Sequence, residues 1–462
     1  MRRNPLAARA LHRLRACITA GPSSPVRRIV PTPPSQRHEE KDGSLTDSRD
    51  AAATPAPSPA QQRKPLKVLI GADTFAPDVN GAARFAERLA AGLVARGHEV
   101  HVVAPSASRK HGTWIEEHEG QRMVMHRLPS WRWYPHDWLR FTLPWFIKQR
   151  SARVLDEVKP DVVHFQSHIV VGRGLSVEAK KRGIRLIGTN HFMPENLLDF
   201  APIPKWLQQW SIGLAWKAAE RSFSRAAAVT TPTHKAAEFL ERNTGLRGVY
   251  AISCGIDAQK YTPSFEPRTE NRVIFVGRVT GEKQIDVLIR AISLLPGDLD
   301  TKLEIVGGGD QLKNLEQLTH QLGISDRVTF TGYVSDDELR EAYTRATVLA
   351  MPSIAELQSI VTMEAMASAL PVVAANAMAL PHLVHDGENG YLFQPGNAHE
   401  LADKLEHIFR MPQDELTAMK KESLRLIAAH DIERTLNTFE CLYRGEAVPD
   451  LVVDDVAPAA AD

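Results

Sequence analysis

Short runs of β-branched residues alternate with segments of helical periodicity along most of this chain, in two successive series. The first series opens with the apolar run Lys67–Gly71, which is followed by helical spacing of apolar residues over 81–96. Strands are predicted at Val100–Ala104, Val162–Phe165, Leu186–Thr189 and Ala228–Thr231, and in the second series at Arg272–Gly277, Leu303–Val306, Val328–Thr331, Val348–Met351 and Val372–Ala374. Such alternation builds parallel sheets covered by helices, so two Rossmann-like α/β domains facing a central cleft are predicted.

The length of 462 residues exceeds one ordinary core and fits two domains. The expected organisation is a disordered basic, Pro-rich tail (1–64), a first Rossmann-like domain (65–255), a linker (256–270), a second Rossmann-like domain (271–428), a helix crossing back to the first domain (429–445) and a disordered acidic tail (446–462). The Arg-rich start of the first tail fits a transit peptide, but an overlong gene start or a basic tail explains it as well.

The charge balance and the cysteine content exclude several classes of protein. The net charge is +1, so no general attraction to nucleic acid is expected. The three cysteines, Cys17, Cys254 and Cys441, have neither zinc spacing nor a disulfide framework, which indicates a reducing compartment. No run of about 18 apolar residues is present, so no membrane-spanning helix is predicted.

Two turns that follow predicted strands favour the binding of an anion. Asn80 and Gly81 precede the first helix of the first domain, where small residues let backbone N–H groups approach an anion. Arg278 and Lys283 lie in a turn that opens the second domain, so both side chains can converge on one diphosphate. The alternatives are a structural glycine in the first turn and two solvated charges in the second.

Two carboxylates, Glu356 and Glu364, follow a buried strand of the second domain. Glu356 lies in the loop before a predicted helix, and Glu364 lies inside that helix among apolar neighbours. A carboxylate accepts two hydrogen bonds at once, as a pair of sugar hydroxyls requires, and a partly buried one needs a partner, for which a ligand is predicted. The N–H groups of Leu357, Gln358 and Ser359 at the helix start can hold sugar or phosphate oxygens. An ordinary solvated glutamate is the alternative for Glu364.

These motifs, together with V-G-G-G-D at Val306–Asp310 and S-C-G-I-D at Ser253–Asp257, resemble the family 4 glycosyltransferases from Lys67 to about Arg444. Within that family the chain is most similar to bacterial enzymes that glycosylate lipids. The resemblance implies a GT-B fold and retaining transfer of a hexose from a nucleotide sugar, GDP-mannose or UDP-glucose. The chain departs from the family pattern at Ala82, Gly281, Ser359 and Ala369, and none of these departures removes a functional group. Gln358 and Ser359 would lie next to the sugar, which leaves the donor identity open.

The resemblance also implies a role for each donor-site residue. Arg278 and Lys283 would hold the diphosphate, and Glu364 would hold the ribose hydroxyls. Glu356 would bind the donor hexose, and Gly81 would approach the diphosphate from the first domain. The acceptor would lie on the first domain and the donor on the second.

Three further residues of the first domain are assigned to the cleft. His191 matches the active-site histidine of the family, and its place directly after a predicted strand also suits a hydrogen bond to a sugar hydroxyl. A buried structural histidine is the alternative for this position. Asn80 and His168 are assigned to the acceptor side. His191 is expected to act in catalysis with Arg278, Lys283 and Glu356.

Neither a metal nor an organic cofactor is expected. The implied mechanism is a front-face displacement in which the leaving phosphate deprotonates the acceptor hydroxyl, so the protein positions the reactants and stabilises the diphosphate. The Asp298-x-Asp300 element is interpreted as a surface turn because it lies among Pro and Gly residues.

The partners expected are a nucleotide sugar, a lipid or saccharide acceptor and a membrane surface. All eight tryptophans precede the linker, and aromatic and basic residues interleave over 131–148 and 203–217. Such mixtures suit the bilayer interface, so contact with the cytoplasmic face of the plasma membrane is predicted. Packing of these tryptophans in the first domain, or around an acceptor groove, is the alternative.

Other functions remain open at this point. One is transfer to a soluble saccharide or small molecule, and another is sugar-nucleotide epimerisation or phosphorolysis on the same fold. A non-catalytic binding protein is a further alternative. A dehydrogenase is excluded because Val306–Leu312 lacks the third glycine of the dinucleotide fingerprint.

Overall fold

Two sheets organise the residues that the computed structural model describes, which are 63–78, 80–132, 140–194, 204–267 and 269–448. Most of the two predicted tails therefore lies outside the described residues. Both sheets are mainly parallel and carry helices on their faces, as predicted from the alternating pattern. We refer to the first sheet with its helices as the first domain and to the second sheet with its helices as the second domain.

The first sheet contains eight strands within the described residues, in the order β10-β9-β8-β7-β1-β2-β4-β3. Their bounds are β1 Lys67–Gly71, β2 Glu99–Pro105, β3 Gly112–His118, β4 Gln121–Leu128, β7 Val162–Phe165, β8 Arg185–Thr189, β9 Ala228–Thr231 and β10 Tyr250–Ala251. A separate pair is formed by β5 Trp131–Arg132 and β6 Arg140–Phe141. Only β3 runs antiparallel to its neighbour in this described sheet.

Five helices of the first domain are described. They are α1 Gly81–Ala95, α2 Ile147–Val158, α3 Val171–Lys181, α4 Lys205–Phe223 and α5 His234–Thr244. Helix α1 begins at Asn80, whose side chain accepts a hydrogen bond from the Ala83 backbone N–H at 2.9 Å. Its apolar face, which includes the fully buried Leu89 and Leu93, packs in the domain core. The turn that follows the carboxyl end of β1 leads to the start of α1.

The second sheet contains six parallel strands within the described part of the chain, in the order β13-β12-β11-β14-β15-β16. Their bounds are β11 Arg272–Val276, β12 Lys302–Val306, β13 Val328–Gly332, β14 Val348–Met351, β15 Val372–Ala375 and β16 Gly390–Phe393. The helices of this domain are α6 Ile285–Leu294, α7 Leu312–Gln321, α8 Asp336–Arg345, α9 Ile360–Ala367, α10 Ala398–Arg410 and α11 Gln413–Ile427. Strand β11 lies between β12 and β14, which places the turns after these strands side by side.

The last helix, α12 Ile432–Arg444, returns to the first domain, as predicted. The Tyr443 hydroxyl lies 2.7 Å from Nδ1 of His164 on β7. The Arg185 side chain donates to the Leu442 carbonyl at 2.7 Å. His164 is fully buried, so its role is to fasten α12 to the first sheet rather than to meet a ligand.

The two chain segments that connect the domains are bonded to each other. The Ile256 backbone N–H donates to the His430 carbonyl at 2.8 Å, and the Ile432 N–H donates to the Ile256 carbonyl at 3.1 Å. The first connection and the start of α12 therefore run side by side between the two domains.

The sequence Asn397-x-x-Glu400 before α10 has the pattern of a capping box, which is half formed in the structure. The Asn397 side chain accepts from the Glu400 N–H at 3.1 Å, whereas the Glu400 carboxylate accepts from the Gln394 N–H at 2.9 Å rather than from the Asn397 N–H. A complete capping box occurs instead at Ser335 and Glu338, before α8. Both helices nevertheless begin with a side-chain cap.

Candidate active site

A cavity of about 790 Å³ lies between the two domains, at the carboxyl ends of both sheets. The predicted site residues that line it are Asn80, Gly81, His191, Arg278, Lys283, Glu356, Leu357, Gln358, Ser359 and Glu364. Residues from two different sheets and several turns are thus brought to one place. His168 is the exception and is described below.

The cationic end of the cavity is formed by the turn after β11. Residues Gly281–Lys283 form one short helical turn, and the Lys283 ammonium is bonded to the Glu356 carboxylate. The Arg278 guanidinium lies 3.1 Å from Glu282. Lys283 of this turn and Glu356 are therefore brought together at the cavity.

The start of α9 presents backbone donors to the cavity. Ser359 is the N-cap residue of α9, and its hydroxyl accepts from the Thr362 N–H at 3.3 Å. Among the described residues, none accepts a hydrogen bond from the backbone N–H groups of Leu357, Gln358 or Ser359. These groups can therefore hold oxygens of a ligand.

The Gln358 side chain has a structural partner at the connection between the domains. Its amide oxygen accepts from the Cys254 N–H at 2.7 Å, and its amide nitrogen donates to the Ser253 hydroxyl at 3.0 Å. The interpretation that this side chain lies beside the sugar is therefore corrected. Its backbone N–H is the group that remains for a ligand.

Glu364 is buried, with 5% of its surface exposed, and both of its oxygens are engaged. Oε1 accepts from Nη2 of Arg88 at 2.6 Å, and Oε2 accepts from the Tyr343 hydroxyl at 3.1 Å. A ligand is the partner that the sequence predicts for this carboxylate, whereas the structure supplies Arg88 of the first domain and Tyr343 of the second. The alternative that Glu364 is an ordinary solvated glutamate is wrong, because its side chain is buried.

Arg88 belongs to none of the motifs identified in the sequence, although its position in α1 could have predicted its place in the site. Gly81, Arg84 and Arg88 are spaced i, i+3 and i+7, so they share one face of the helix. Because Gly81 begins the helix at the cavity, that face is turned towards the cavity along its length, and all three residues line it. Arg84 also reaches the second domain, where it pairs with Asp336 at 2.5 Å.

Gly81 is not required by packing within the protein. A Cβ placed there would find Ile360 Cδ1 at 3.8 Å as its nearest described neighbour, which is an ordinary contact. A glycine at this place therefore fits close approach of a ligand to the N-terminus of α1.

His191 lies at the cavity with its ring held by Gln166. Nε2 is 3.0 Å from the Gln166 amide oxygen, and the ring centroid is 4.8 Å from that of Phe85. Burial lowers the pKa of His191 to about 3, so the imidazole is neutral. With its Nε2–H donated to Gln166, Nδ1 is an acceptor for a hydroxyl group.

His168 does not line the cavity. Its side chain is buried, with 3% exposed, and its ring packs against Phe192 and Phe223 with centroid distances of 5.9 and 5.7 Å. Burial lowers the pKa of His168 to about 4. The assignment of His168 to the acceptor side is not supported by this geometry, because the ring lies behind Phe192, which itself lines the cavity.

The two aspartates of the Asp298-x-Asp300 element lie in a turn, as expected. Asp298 pairs with Arg410 at 3.1 Å, and Asp300 pairs with Lys302 at 3.2 Å. Within the described residues, no cluster of three His, Cys, Asp or Glu side chains has a geometry suited to a metal ion.

The tryptophans of the first domain fall into two groups. Trp145, Trp206 and Trp210 are 73%, 79% and 65% exposed. Trp216, which the prediction also assigns to a membrane-facing segment, is instead buried and packs edge-on against Phe239. Residues 133–139 and 203 of the predicted segments lie outside the described residues. None of the described helices is both long enough and apolar enough to cross a bilayer.

Comparison with protein families gives two matches that follow one another along the chain. Residues 79–260 match the family model described as Glycosyltransferase Family 4. Residues 259–425 match the one described as Glycosyl transferases group 1. The first match covers the α1 side of the cavity, and the second covers the turn after β11 and α9.

Three curated relatives illustrate the similarity. Sulfoquinovosyl transferase SQD2 of Arabidopsis thaliana is 29% identical over 277 residues, which are 55% of this chain and 51% of that protein, so this chain spans about half of its length. A GDP-mannose-dependent alpha-mannosyltransferase of Mycobacterium tuberculosis is 28% identical over 78% of this chain and 92% of the relative. Alpha-monoglucosyldiacylglycerol synthase of Acholeplasma laidlawii is 26% identical over 75% of this chain and 89% of the relative.

The fold is similar to that of solved structures. Sucrose-phosphate synthase of Thermosynechococcus elongatus superposes with a TM-score of 0.69 and 20% identity, over 82% of this chain and 99% of that one. At this identity the likeness concerns the fold alone.

Proposed function

The chain belongs to family 4 of the glycosyltransferases, and we propose that it is a retaining hexosyltransferase that moves mannose or glucose from a nucleotide diphosphate sugar to a lipid-type acceptor. Its two Rossmann-like domains have the GT-B fold, as predicted. The observation that carries the proposal is the convergence of Lys283, Glu356, Glu364 and the backbone N–H groups of Leu357–Ser359 in one cavity.

The donor fits the second-domain side of this cavity. A diphosphate needs fixed positive charge and backbone donors, which Lys283, Arg278 and the start of α9 offer. The ribose needs an acceptor for its hydroxyls, which Glu364 offers. When the diphosphate takes Lys283, the Glu356 carboxylate is released to accept hydrogen bonds from the hexose.

The chemical step proposed is a front-face displacement. The acceptor hydroxyl oxygen forms a bond to the anomeric carbon on the side from which the diphosphate departs. The bond from that carbon to the diphosphate oxygen breaks, and the hydroxyl proton passes to this oxygen. Lys283 and Arg278 stabilise the charge on the leaving group. His191, being neutral, accepts a hydrogen bond from a sugar hydroxyl and holds the ring in place.

No metal is part of this proposal, because the protein's own cations and N–H groups face the place of the diphosphate. GDP-mannose and UDP-glucose are the proposed donors. The alpha-mannosyltransferase of Mycobacterium tuberculosis is named as GDP-mannose-dependent, and the synthase of Acholeplasma laidlawii is named for a glucosyl product. These names guide the choice of donor for this chain.

The proposed acceptor is a lipid, which the enzyme would meet at a membrane surface. Trp145, Trp206 and Trp210 expose large rings on the first domain, and Ile169 is both 38% exposed and part of the cavity lining. Exposed tryptophans favour the headgroup region of a bilayer. A lipid acceptor at the cytoplasmic face of the plasma membrane would then enter from the first domain, next to Ile169.

A donor screen tests the proposal. Radiolabelled GDP-mannose and UDP-glucose are incubated with the protein, with and without a lipid extract, and the organic phase is analysed for label. We expect labelled lipid with one donor only when the extract is present. Conversion of the donor without an acceptor would indicate an epimerase, and labelled water-soluble product in place of lipid would indicate a soluble acceptor. Binding of the nucleotide without any product would contradict the enzymatic proposal.

A further inference from the structure

The buried carboxylate of Glu364 is held by a residue from the opposite domain. Nη2 of Arg88, on α1 of the first domain, donates to Oε1 of Glu364 at 2.6 Å. The two side chains are only 15% and 6% exposed. Tyr343 of the second domain and Tyr261 of the segment after the first connection complete the surroundings, with the Tyr261 hydroxyl 3.4 Å from Arg88 Nη2.

Charge balance indicates that Arg88 stays beside Glu364 when a nucleotide binds. A buried ionised carboxylate is stable only with a counter-charge, and breaking a buried ion pair leaves one charge uncompensated. The hydroxyls of a ribose are neutral, so they cannot replace the guanidinium. The ribose must therefore bind to the ion pair as a whole rather than to Glu364 alone.

The same guanidinium has an unused donor. Nη1 of Arg88 is buried and has no hydrogen-bond acceptor among the described residues. Nη1 and Nη2 belong to one rigid planar group, so the unused donor lies next to the Glu364 carboxylate. A hydroxyl group suits such a pair because it donates its hydrogen to a carboxylate while its oxygen accepts from an N–H.

We propose that Arg88 is a ribose-binding residue contributed by the first domain. Its Nη2 fixes the Glu364 carboxylate, and its Nη1 donates to the oxygen of a ribose hydroxyl whose hydrogen is given to that carboxylate. This inference rests on the proposed function, since it needs a nucleotide in the cavity. It assigns recognition of the ribose to both domains, although Glu364 alone is the residue expected for the ribose.

The ratio of two dissociation constants tests this role. Isothermal titration calorimetry is performed with GDP and UDP and with their 2′,3′-dideoxy counterparts, on wild type and on Arg88→Gln. We expect wild type to prefer the ribonucleotide by about tenfold or more, as the loss of hydrogen bonds to charged groups predicts. In Arg88→Gln the preference should fall to within about twofold. A purely structural role of Arg88 would weaken both nucleotides alike and leave the ratio unchanged.

Arg84→Gln is the matched control. Arg84 lies one turn before Arg88 on the same face of α1 and pairs with Asp336 of the second domain rather than with Glu364. Its loss removes an ion pair between the domains without touching the proposed ribose contact, so the wild-type ratio should persist. Glu364→Gln should lose the preference as Arg88→Gln does.

Arg88→Lys is a second test variant in case Arg88→Gln does not fold. It keeps a positive charge beside Glu364 but lacks the planar guanidinium that donates to two oxygens. We therefore expect a preference for the ribonucleotide between those of wild type and Arg88→Gln. The inference is overturned if either folded Arg88 variant keeps the wild-type ratio while GDP or UDP binds. If neither GDP nor UDP binds wild type, the proposed function itself fails, and the inference fails with it.

Discussion

The Lys283 ammonium and the Glu356 carboxylate form an ion pair inside the cavity, although 73 positions separate them in the chain. Lys283 follows β11 and Glu356 follows β14, and these two strands are parallel neighbours. The sheet thus brings together the two groups that the proposed function assigns to the diphosphate and to the hexose of the donor. In that proposal, binding of the donor would exchange one contact between the residues for two contacts with the ligand.

Replacement of Lys283 tests the phosphate role. Lys283→Ala should lower kcat by ~10²-fold or more, because a positive charge facing the leaving diphosphate is lost. Initial rates with saturating donor measure the effect, and Lys302→Ala, which removes a lysine paired with Asp300 outside the cavity, is the control. Activity within a few-fold of wild type would rule out contact between Lys283 and the leaving group.

Replacement of Glu364 affects both stability and nucleotide affinity. Glu364→Gln should lower the free energy of unfolding by about 3–5 kcal/mol, because Arg88 loses its buried partner. It should also weaken nucleoside diphosphate binding by about tenfold. Urea denaturation and calorimetry measure the two effects, with the exposed Glu341→Gln as the control. Unchanged affinity would count against a nucleotide at Glu364.

Removal of divalent ions should leave activity largely intact. Lys283, Arg278 and the backbone N–H groups of Leu357–Ser359 line the cavity, and in the proposed function they balance the charge of the diphosphate. Initial rates are compared before and after treatment with EDTA, and again after addition of Mg²⁺. Complete loss of activity with EDTA, restored by Mg²⁺, would contradict the metal-independent mechanism.

Acid should destabilise the fold through His164. Burial lowers the pKa of His164 to about 3, below the value of about 6.5 expected in the unfolded chain. The unfolded state therefore takes up the proton first, and the free energy of unfolding falls as the pH drops below about 6.5, by at most about 1.4 kcal/mol per pH unit. Urea denaturation between pH 7 and pH 5 should show a shallower fall for His164→Gln than for wild type. The exposed His234→Gln should keep the wild-type slope, and an equal slope in all three proteins would refute the assignment.

Exposed tryptophans of α4 should govern membrane binding. Trp206→Ala combined with Trp210→Ala should reduce co-sedimentation with vesicles of anionic lipid by about tenfold, since two interfacial rings are lost. Trp114→Ala, on β3 and 37% exposed, serves as the control for loss of a surface tryptophan. Equal sedimentation of all the variants would exclude α4 as a membrane contact.

The parallel strands were predictable because strands buried on both faces are short runs rich in apolar and β-branched residues. Val162–Phe165, Ala228–Thr231 and Val348–Met351 have the predicted bounds. The hairpin of β3 and β4 was not predicted. Most side chains of Gly112–His118 are exposed, so this strand has no apolar alternation that would reveal it.

The residues of the site that follow strands could be predicted, whereas the residues within helices that contact Glu364 could not. Lys283 and Glu356 meet because adjacent parallel strands end at one edge of a sheet. Arg88 and Tyr343 lie within helices and resemble ordinary surface and core residues in the sequence. Arg88 reaches Glu364 because of how the two domains face each other, and Tyr343 reaches it through packing of helices within the second domain; local sequence encodes neither contact.

The paired backbone hydrogen bonds of Ile256 with His430 and Ile432 limit how the cavity can open. A single connecting segment would let the two domains rotate in many directions, whereas two connecting segments that are hydrogen-bonded to each other define a single pivot. We expect opening of the cavity to be a rotation about this pivot, which the Arg88–Glu364 ion pair between the two domains opposes. Release of the product and binding of the next nucleotide would consequently both require this one rotation of the domains.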